Sequence, residues 1–457
     1  MKDAGQPTLA VVGGGWAGLA TAVRGTQAGR AVTLLELAGH LGGRARSVRV
    51  GAASGPAGSS GVGGRDLDNG QHILIGAYSR TLDLMRSVGA DPDQLLHRQP
   101  LELRYPDGRG LRLKGGHPVL AFVRAVAGCK GWGWRDRSAL LTAAGHWAAA
   151  GFRCAPGTTV AQLCAGLTPA VRELLIDPLC VAALNTPAQD ASAQVLLTVL
   201  HDALFSGRGS ADLLLPKRSL DALLPHPAHA WLQARGARLV FNKRVNRLEP
   251  GPEGRGWLLD GQPYDQVVLA CTAGEAARLV QPLDAAWAAR AAALQYEPIV
   301  TVYLQGPGGQ LAAPMMALVE GPNAPAQFAF DQGALGATPG LFSFVVSGAR
   351  RWAEAGPEAT GRAVRQQALT AFPAGTFPSP PTVLKVLVEK RATFRCTPGL
   401  DRPPGAIAPG LQAAGDYVAG PYPATLEAAV RSAEAAIARL QATASAPRPT
   451  LPPVPKP

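Results

Sequence analysis

The sequence predicts an α/β fold, and three observations carry that prediction. A short apolar run, Thr8-Leu-Ala-Val-Val12, leads directly into Gly13-Gly-Gly15-Trp-Ala-Gly18 and a segment of helical character. A second apolar run, Ala31-Val-Thr-Leu-Leu-Glu36, ends on an acid. Much later, residues 299–304, 341–346 and 383–388 are apolar over strand lengths, which reads as a second sheet walling a pocket.

Each part of the first region has a physical reason. A strand that turns at Gly13 lets the following helix aim its free N–H groups at a pyrophosphate. Gly15 admits the backbone close to that group, and Gly18 lets the helix sit against the strand. Glu36 lies 21 residues past Gly15, where a carboxylate can accept both hydroxyls of an adenosine ribose. An acid at that place argues against a 2′-phosphate.

Gly42-Gly43-Arg44 does not belong to the general dinucleotide fingerprint. The segment Gly42-Gly-Arg-Ala-Arg-Ser47 resembles an element of the FAD-dependent amine oxidase and phytoene desaturase superfamily, in which backbone and arginine contact the pyrophosphate and flavin side. Tyr264-Asp-Gln-Val-Val-Leu-Ala270 is similar to the strand that returns to the FAD sheet there. Ala414-Gly-Asp416 with Pro423-Ala-Thr-Leu-Glu-Ala-Ala-Val-Arg-Ser432 resembles the closing flavin motif. The resemblance implies FAD as cofactor, held by Gly13, Gly15, Gly18, Glu36, Gly42, Gly43, Arg44, Val245, Gly415, Asp416, Thr425 and Leu426. Asp416 would meet the ribityl or pyrophosphate region. The helix after it would point its N-terminus at the flavin pyrimidine ring and favour the anionic reduced form. Where the superfamily is expected to carry glycine in that helix, this chain has Ala428-Ala429 and Ser432-Ala433.

The implied architecture is a Rossmann-like FAD-binding domain interleaved with an α+β substrate domain. Residues 1–75, 214–290 and 405–440 are expected to form the first, because fingerprint and closing motif must meet on one sheet. Residues 76–213 and 291–404 then form the second. A Gly/Ser/Ala-rich insert spans 51–64, and the Pro-rich tail 441–457 is expected to be disordered.

Four segments narrow the resemblance. Asp68-Asn-Gly-Gln-His-Ile-Leu-Ile-Gly-Ala-Tyr78, Pro178-Leu-Cys-Val-Ala-Ala-Leu-Asn-Thr-Pro187, Glu389-Lys-Arg-Ala-Thr-Phe394 and residues 415–427 are together similar to the hydroxysqualene dehydroxylase family of bacterial squalene and hopanoid biosynthesis. The resemblance covers residues 8–440. It implies that hydride passes from reduced flavin N5 to the allylic carbon of hydroxysqualene while an acid protonates the leaving oxygen. Asp68, His72, Tyr78 and Lys390 lie in the matching segments and are the candidate acids, unranked by sequence. A helix would bring Asp68 and His72 together, whereas an extended chain would hold them apart on one face. An equal reading has Gln71 and His72 packing against the flavin with no proton role.

There is no second fingerprint for a pyridine nucleotide, so an external donor is expected: a transient nicotinamide, a ferredoxin or another reductase. The alternatives are a carotenoid or phytoene-type desaturase, drawing hydride from a polyisoprenoid with oxidised FAD, and a non-redox flavoprotein lipid carrier. An amine oxidase is expected to place an aromatic residue two positions before Glu427, where this chain has Thr425.

Composition sets the outer bounds. With 457 residues, 47% of them hydrophobic and 17% charged, the chain can build two or three substantial cores. Every long apolar run is interrupted by Gly, Pro or charge, which argues against a membrane span. Only seven residues precede Thr8, so a cytoplasmic protein without a signal peptide is expected. The six cysteines form no C-x-x-C pair and read as reduced thiols, and no metal site is expected. The net charge of +12 comes from 36 Arg and 8 Lys scattered without a basic block. That excludes a nucleic-acid partner and favours attraction to an anionic membrane, on the inner face of the cytoplasmic bilayer. Residues 118–150 carry Trp132, Trp134 and Trp147 among Arg and Lys. Their helical spacing reads as core, the other reading being an aromatic-bearing entrance on a bilayer.

Overall fold

Thr8–Val12, Ala31–Leu35 and Gln266–Leu269 are short, aliphatic and largely buried, as strands of a parallel sheet covered by helices should be. In the computed structural model, which describes residues 6–51 and 64–445, they form the centre of a six-stranded sheet. Its order is Arg238–Val240, Ala31–Leu35, Thr8–Val12, Gln266–Leu269, Leu411–Ala413 and Ala406–Ala408. All neighbours are parallel except the final pair. Three distant stretches of chain therefore share one sheet. The helix Trp16–Gln27 packs on this sheet and against Leu426–Ser445, where Leu19, Val23, Ala433, Ile437 and Leu440 close one core.

Two expectations need correction. Residues 76–99 do not join the substrate region: Leu82, Leu84 and Met85 of the helix Ser79–Ser87 are buried in the core that holds Leu9 and Val11. The reason is a tie from the closing helix. The carboxylate of Glu427 accepts the N–H groups of Arg80 and Thr81 at 3.2 and 2.9 Å and the Thr81 hydroxyl at 2.7 Å, capping Ser79–Ser87 from outside. Leu74–Ile75 and Leu96–Gln99 flank Leu213–Pro216 in a small antiparallel sheet beside it. Second, the closing helix runs on through 441–445, where disorder is expected. Residues 441–444 include no proline or glycine, and the first proline, Pro447, disfavours helix at the residue before it. The rest of the expected tail, 446–457, and residues 52–63 of the insert lie outside the described residues.

The second sheet is antiparallel, in the order Met315–Ala317, Phe328–Asp331, Leu341–Val346, Tyr296–Gln305 and Thr382–Phe394. One face presents Val300, Val302, Phe342 and Phe344 to a core that includes Val364 and Ala368 of the helix Pro357–Ala371. Alternate residues Phe328, Phe330 and Val345 join a larger core with the helices of residues 118–205. The sheet is thus covered on both sides, and its edge strand Thr382–Phe394 reaches back toward the first sheet.

Candidate cofactor and active site

The parallel strands end together at one edge, the usual ligand position in such sheets. Gly13 leaves its strand at φ +108°, and a Cβ there would lie 2.7 Å from the Ala270 carbonyl oxygen. A Cβ on Gly18 would overlap the Gly13 carbonyl oxygen, so the helix touches the turn directly. Gly15 differs. A Cβ there would find only Gly43 Cα, at 3.8 Å, leaving open space in front of it. Gly15 is the N-cap of Trp16–Gln27, with no side-chain cap and no acid in the first turn, so the positive helix end stays bare for a phosphate.

Glu36 stands beside this turn. Its two carboxylate oxygens accept Gly14 N–H at 2.5 Å and Ala38 N–H at 2.7 Å, with lone pairs left for ribose hydroxyls. Gly42 N–H donates to the Gly14 carbonyl at 2.9 Å, and Gly42 and Gly43 both have positive φ. The two glycine segments therefore lie backbone to backbone. Val245 is buried, and its carbonyl oxygen accepts Arg278 Nη2 at 2.7 Å.

Arg44 and Asp416 meet each other. Arg44 Nη2 stands 2.5 Å from Asp416 Oδ1, and Nη1 donates to the Ala392 carbonyl at 2.9 Å. Ala392 lies in a bulge of the edge strand: Ile299 pairs with Glu389 but Glu297 pairs with Thr393, so the edge strand carries extra residues there. Bulges of this kind re-aim side chains beside active sites. Gly415 N–H donates to Ser432 Oγ at 2.8 Å, tying the closing turn to its helix. Thr425 Oγ1 accepts Ala428 N–H at 3.0 Å and donates to the Tyr422 carbonyl at 2.9 Å, which makes it the cap of the helix that starts at Leu426. The methyls of Ala429 and Ala433 are buried in the core shared with Trp16–Gln27, so this seam accommodates alanine.

These residues fit FAD on an independent observation. Tyr417 is 2% exposed, and its hydroxyl has no hydrogen-bond partner among the described residues. It lies close enough to Cys271, Tyr296, Asp416 and Arg44 to feel their charges, and burial holds its pKa well above the usual phenol range. A buried polar group left unpaired costs about 1–3 kcal/mol, which a bound nucleotide can recover.

The four candidate acids separate. Asp68 ends the strand Arg65–Asp68, and its Oδ1 accepts the Ser47 hydroxyl at 2.7 Å and Leu220 N–H at 2.9 Å. Burial pushes its carboxyl up to about 6. The chain bends at Asn69–Gly70, so Asp68 and His72 form no helical pair. His72 is hydrogen-bonded to the Asn69 backbone, and burial, aided by the Arg44 charge, lowers its pKa to about 4 against the pull of that bond and of Glu389. It is neutral at neutral pH. Tyr78 bonds the Thr425 side chain, and burial raises its pKa far above the phenol range. Lys390 is exposed beside the bulge and forms no hydrogen bond or ion pair with this cluster among the described residues. Its neighbour Glu389 faces in: Oε2 accepts Asn69 Nδ2 at 2.9 Å, and the carboxylate acts on both Arg44 and His72.

The structure thus gathers Arg44, Asn69, His72, Glu389, Asp416 and Tyr417, and leaves Lys390 outside. Asn69, Glu389, Tyr296 and Tyr417 are absent from the residues singled out by sequence. Strand alternation next to Lys390 was the available signal for Glu389, and adjacency to Asp416 the signal for Tyr417. Tyr296 had none. Gln71 Oε1 accepts Gln332 Nε2 at 3.0 Å and the Ser343 hydroxyl at 3.3 Å, tying the 69–72 loop to the second sheet.

Residues 16–440 match the family described as flavin containing amine oxidoreductase. The chain belongs to that family. As one of these flavoproteins it is an FAD-dependent oxidoreductase. A hydroxysqualene dehydroxylase of Rhodopseudomonas palustris is 27% identical over 447 residues, 93% of this chain and 96% of that protein. Its counterpart in Zymomonas mobilis is 26% identical over 450 residues, 93% and 97% of the two chains. Among solved structures, cyclohexylamine oxidase from Brevibacterium oxydans shares the family fold with a TM-score of 0.67 at 18% identity, covering 96% of this chain and 100% of that one.

Proposed function

We propose that this flavoprotein reductively removes the hydroxyl group of hydroxysqualene, or of a closely similar polyisoprenoid allylic alcohol, to give squalene and water. The observation that carries the reading is end-to-end likeness to three hydroxysqualene dehydroxylases, 26–27% identical over 92–93% of this chain. Thr425 supports it from the other side, because it caps a helix where an amine oxidase is expected to place an aromatic wall.

Bound FAD, once reduced, supplies the hydride that the allylic carbon takes up. The chain's own residues do the rest. Arg44, Asp416 and Tyr417 hold the cofactor, and the capped helix at Leu426 offers a positive end to the flavin ring. The leaving oxygen needs a proton, and His72, neutral at rest, is the proposed relay: it takes a proton from water and passes it on, in the cluster with Asn69 and Glu389. Glu389 favours the charged form of His72, and the Asn69 bond holds the ring in one orientation. Asp68 serves instead as a strut between Ser47, Leu220 and, through its carbonyl, the Tyr303 hydroxyl at 3.0 Å. An external donor reduces the flavin.

The test is anaerobic incubation of photoreduced protein with hydroxysqualene, following flavin absorbance and extracting the lipid. Reoxidation with stoichiometric squalene is expected. Flavin that stays reduced, with double bonds introduced only by the oxidised protein, would establish a desaturase instead.

A further inference from the structure

One helix carries apolar residues on its exposed face as well as on its buried one. In Pro118–Ala127 the exposed positions are Leu120, Val123, Arg124 and Ala127, a stripe at helical spacing, with Leu120 55% and Val123 42% exposed. A helix facing only water normally shows the reverse pattern. The next helix, Trp134–Ala149, contacts the first and begins with Trp134, which is 73% exposed with the Arg135 guanidinium 5.6 Å from its ring.

Within the hairpin itself the charge has nearly one sign. Between residues 114 and 150 the sole carboxylate is Asp136, and it is engaged with Gly133 N–H at 2.7 Å and the Thr168 hydroxyl at 2.6 Å. Lys114, Arg124, Lys130 and Arg135 are exposed there, and none forms an ion pair among the described residues. Two copies meeting through this face would set like charges against each other. Among the described residues no helix is long and apolar enough to cross a membrane, so an apolar partner must be met from one side.

We propose that this helical hairpin is the surface by which the protein rests on an anionic lipid bilayer, with Leu120, Val123 and Trp134 entering the interface and the four basic side chains on the headgroups. Indole and aliphatic side chains enter the boundary layer while cations stay at headgroup level. The inference deepens the proposed function and rests on that reading for its purpose, since a polyisoprenoid substrate resides in the bilayer.

The experiment is flotation of the full, FAD-loaded chain with vesicles of phosphatidylcholine alone or mixed with phosphatidylglycerol, without substrate. Binding is expected to the mixed vesicles and to weaken with salt. Each basic residue at the surface strengthens binding about fivefold, so R124E with R135E should reduce it by tenfold or more. L120S with W134S should weaken binding while leaving the unfolding midpoint and turnover of detergent-dispersed substrate unchanged. Absence of binding to the mixed vesicles, equal binding by both variants and the parent, or a dimer in solution that L120S dissolves would each overturn the proposal. Vesicle binding without turnover of hydroxysqualene would instead overturn the assigned reaction and leave the docking surface standing.

Discussion

The nucleotide edge of the parallel sheet and the polar cluster beside it are made from different material. The edge is backbone: two glycine segments stacked on each other, a bare helix end, and one carboxylate held by N–H groups. The cluster is side chain, with Arg44, Asn69, Glu389 and Asp416 contributed by four separate segments, one of them carrying a bulge. The first is intolerant of added atoms at Gly13 and Gly18, where backbone touches backbone, and open at Gly15. The second is sensitive to lost charge, because its members neutralise one another.

The largest loss of bound flavin should come from Gly18→Ala, whose methyl overlaps the Gly13 carbonyl. Overpacking of this kind costs about 1–3 kcal/mol or more, and bound flavin should be lost with it. Gly15→Ala meets no protein atom closer than 3.8 Å. Its unfolding free energy should stay within about 0.5 kcal/mol of the parent while FAD affinity falls. Equal destabilisation by both substitutions, read from denaturant unfolding and flavin content, would erase the distinction between filling a contact and filling a cradle.

Arg44→Met tests the cluster next. It leaves the Asp416 carboxylate, 9% exposed, without its cation, and breaking a buried pair costs about 3–5 kcal/mol, lowered here by the partial exposure of Arg44. The double variant Arg44→Met, Asp416→Asn should be less destabilised than the sum of the two. Additive losses in a double-mutant cycle would mean that the pair is not coupled.

A smaller effect separates Asp68 from His72 by pH. Asp68 sits at about 6 in the fold and at about 3.9 unfolded, so the native state binds the extra proton and stability falls as pH rises through that window. His72 has the opposite sign. Its pKa of about 4 in the fold lies below about 6.5 unfolded, so its stabilisation is complete above that value and is lost as pH falls toward 4. Asp68→Asn should therefore steepen the loss of stability on acidification, and His72→Gln should flatten it. Denaturant midpoints across the range decide this, and parallel curves would refute both assignments. Least of all, Lys390→Ala should change stability by under about 0.5 kcal/mol and leave turnover intact, since an exposed side chain away from the cluster has little to lose.

Much of the cofactor edge was legible in advance because its signals are local. Gly13, Gly15, Gly18 and Glu36 stand at spacings dictated by one strand, one turn and one helix, and the contact of Gly18 with the Gly13 carbonyl lies within that short window. The strands of the second sheet were legible for the same reason, through apolar runs of strand length. The polar cluster was not. Strand alternation says that Lys390 and Glu389 face opposite ways, and the hydrogen bond of Glu389 to Asn69 across the folded chain tells which one faces in. Residues 76–99 were misassigned because Glu427, hundreds of positions away, supplies the cap that draws Ser79–Ser87 onto the closing helix.

By itself, then, the sequence determined the glycine turns, the parallel strands beside them and the strands of the second sheet, since backbone sterics and side-chain periodicity act over a few residues. Tertiary structure alone decided which of those polar side chains meet, which is buried neutral, and which apolar stripe is left facing outward. Those outcomes depend on desolvation and charge between groups far apart in the chain, and no local pattern encodes them.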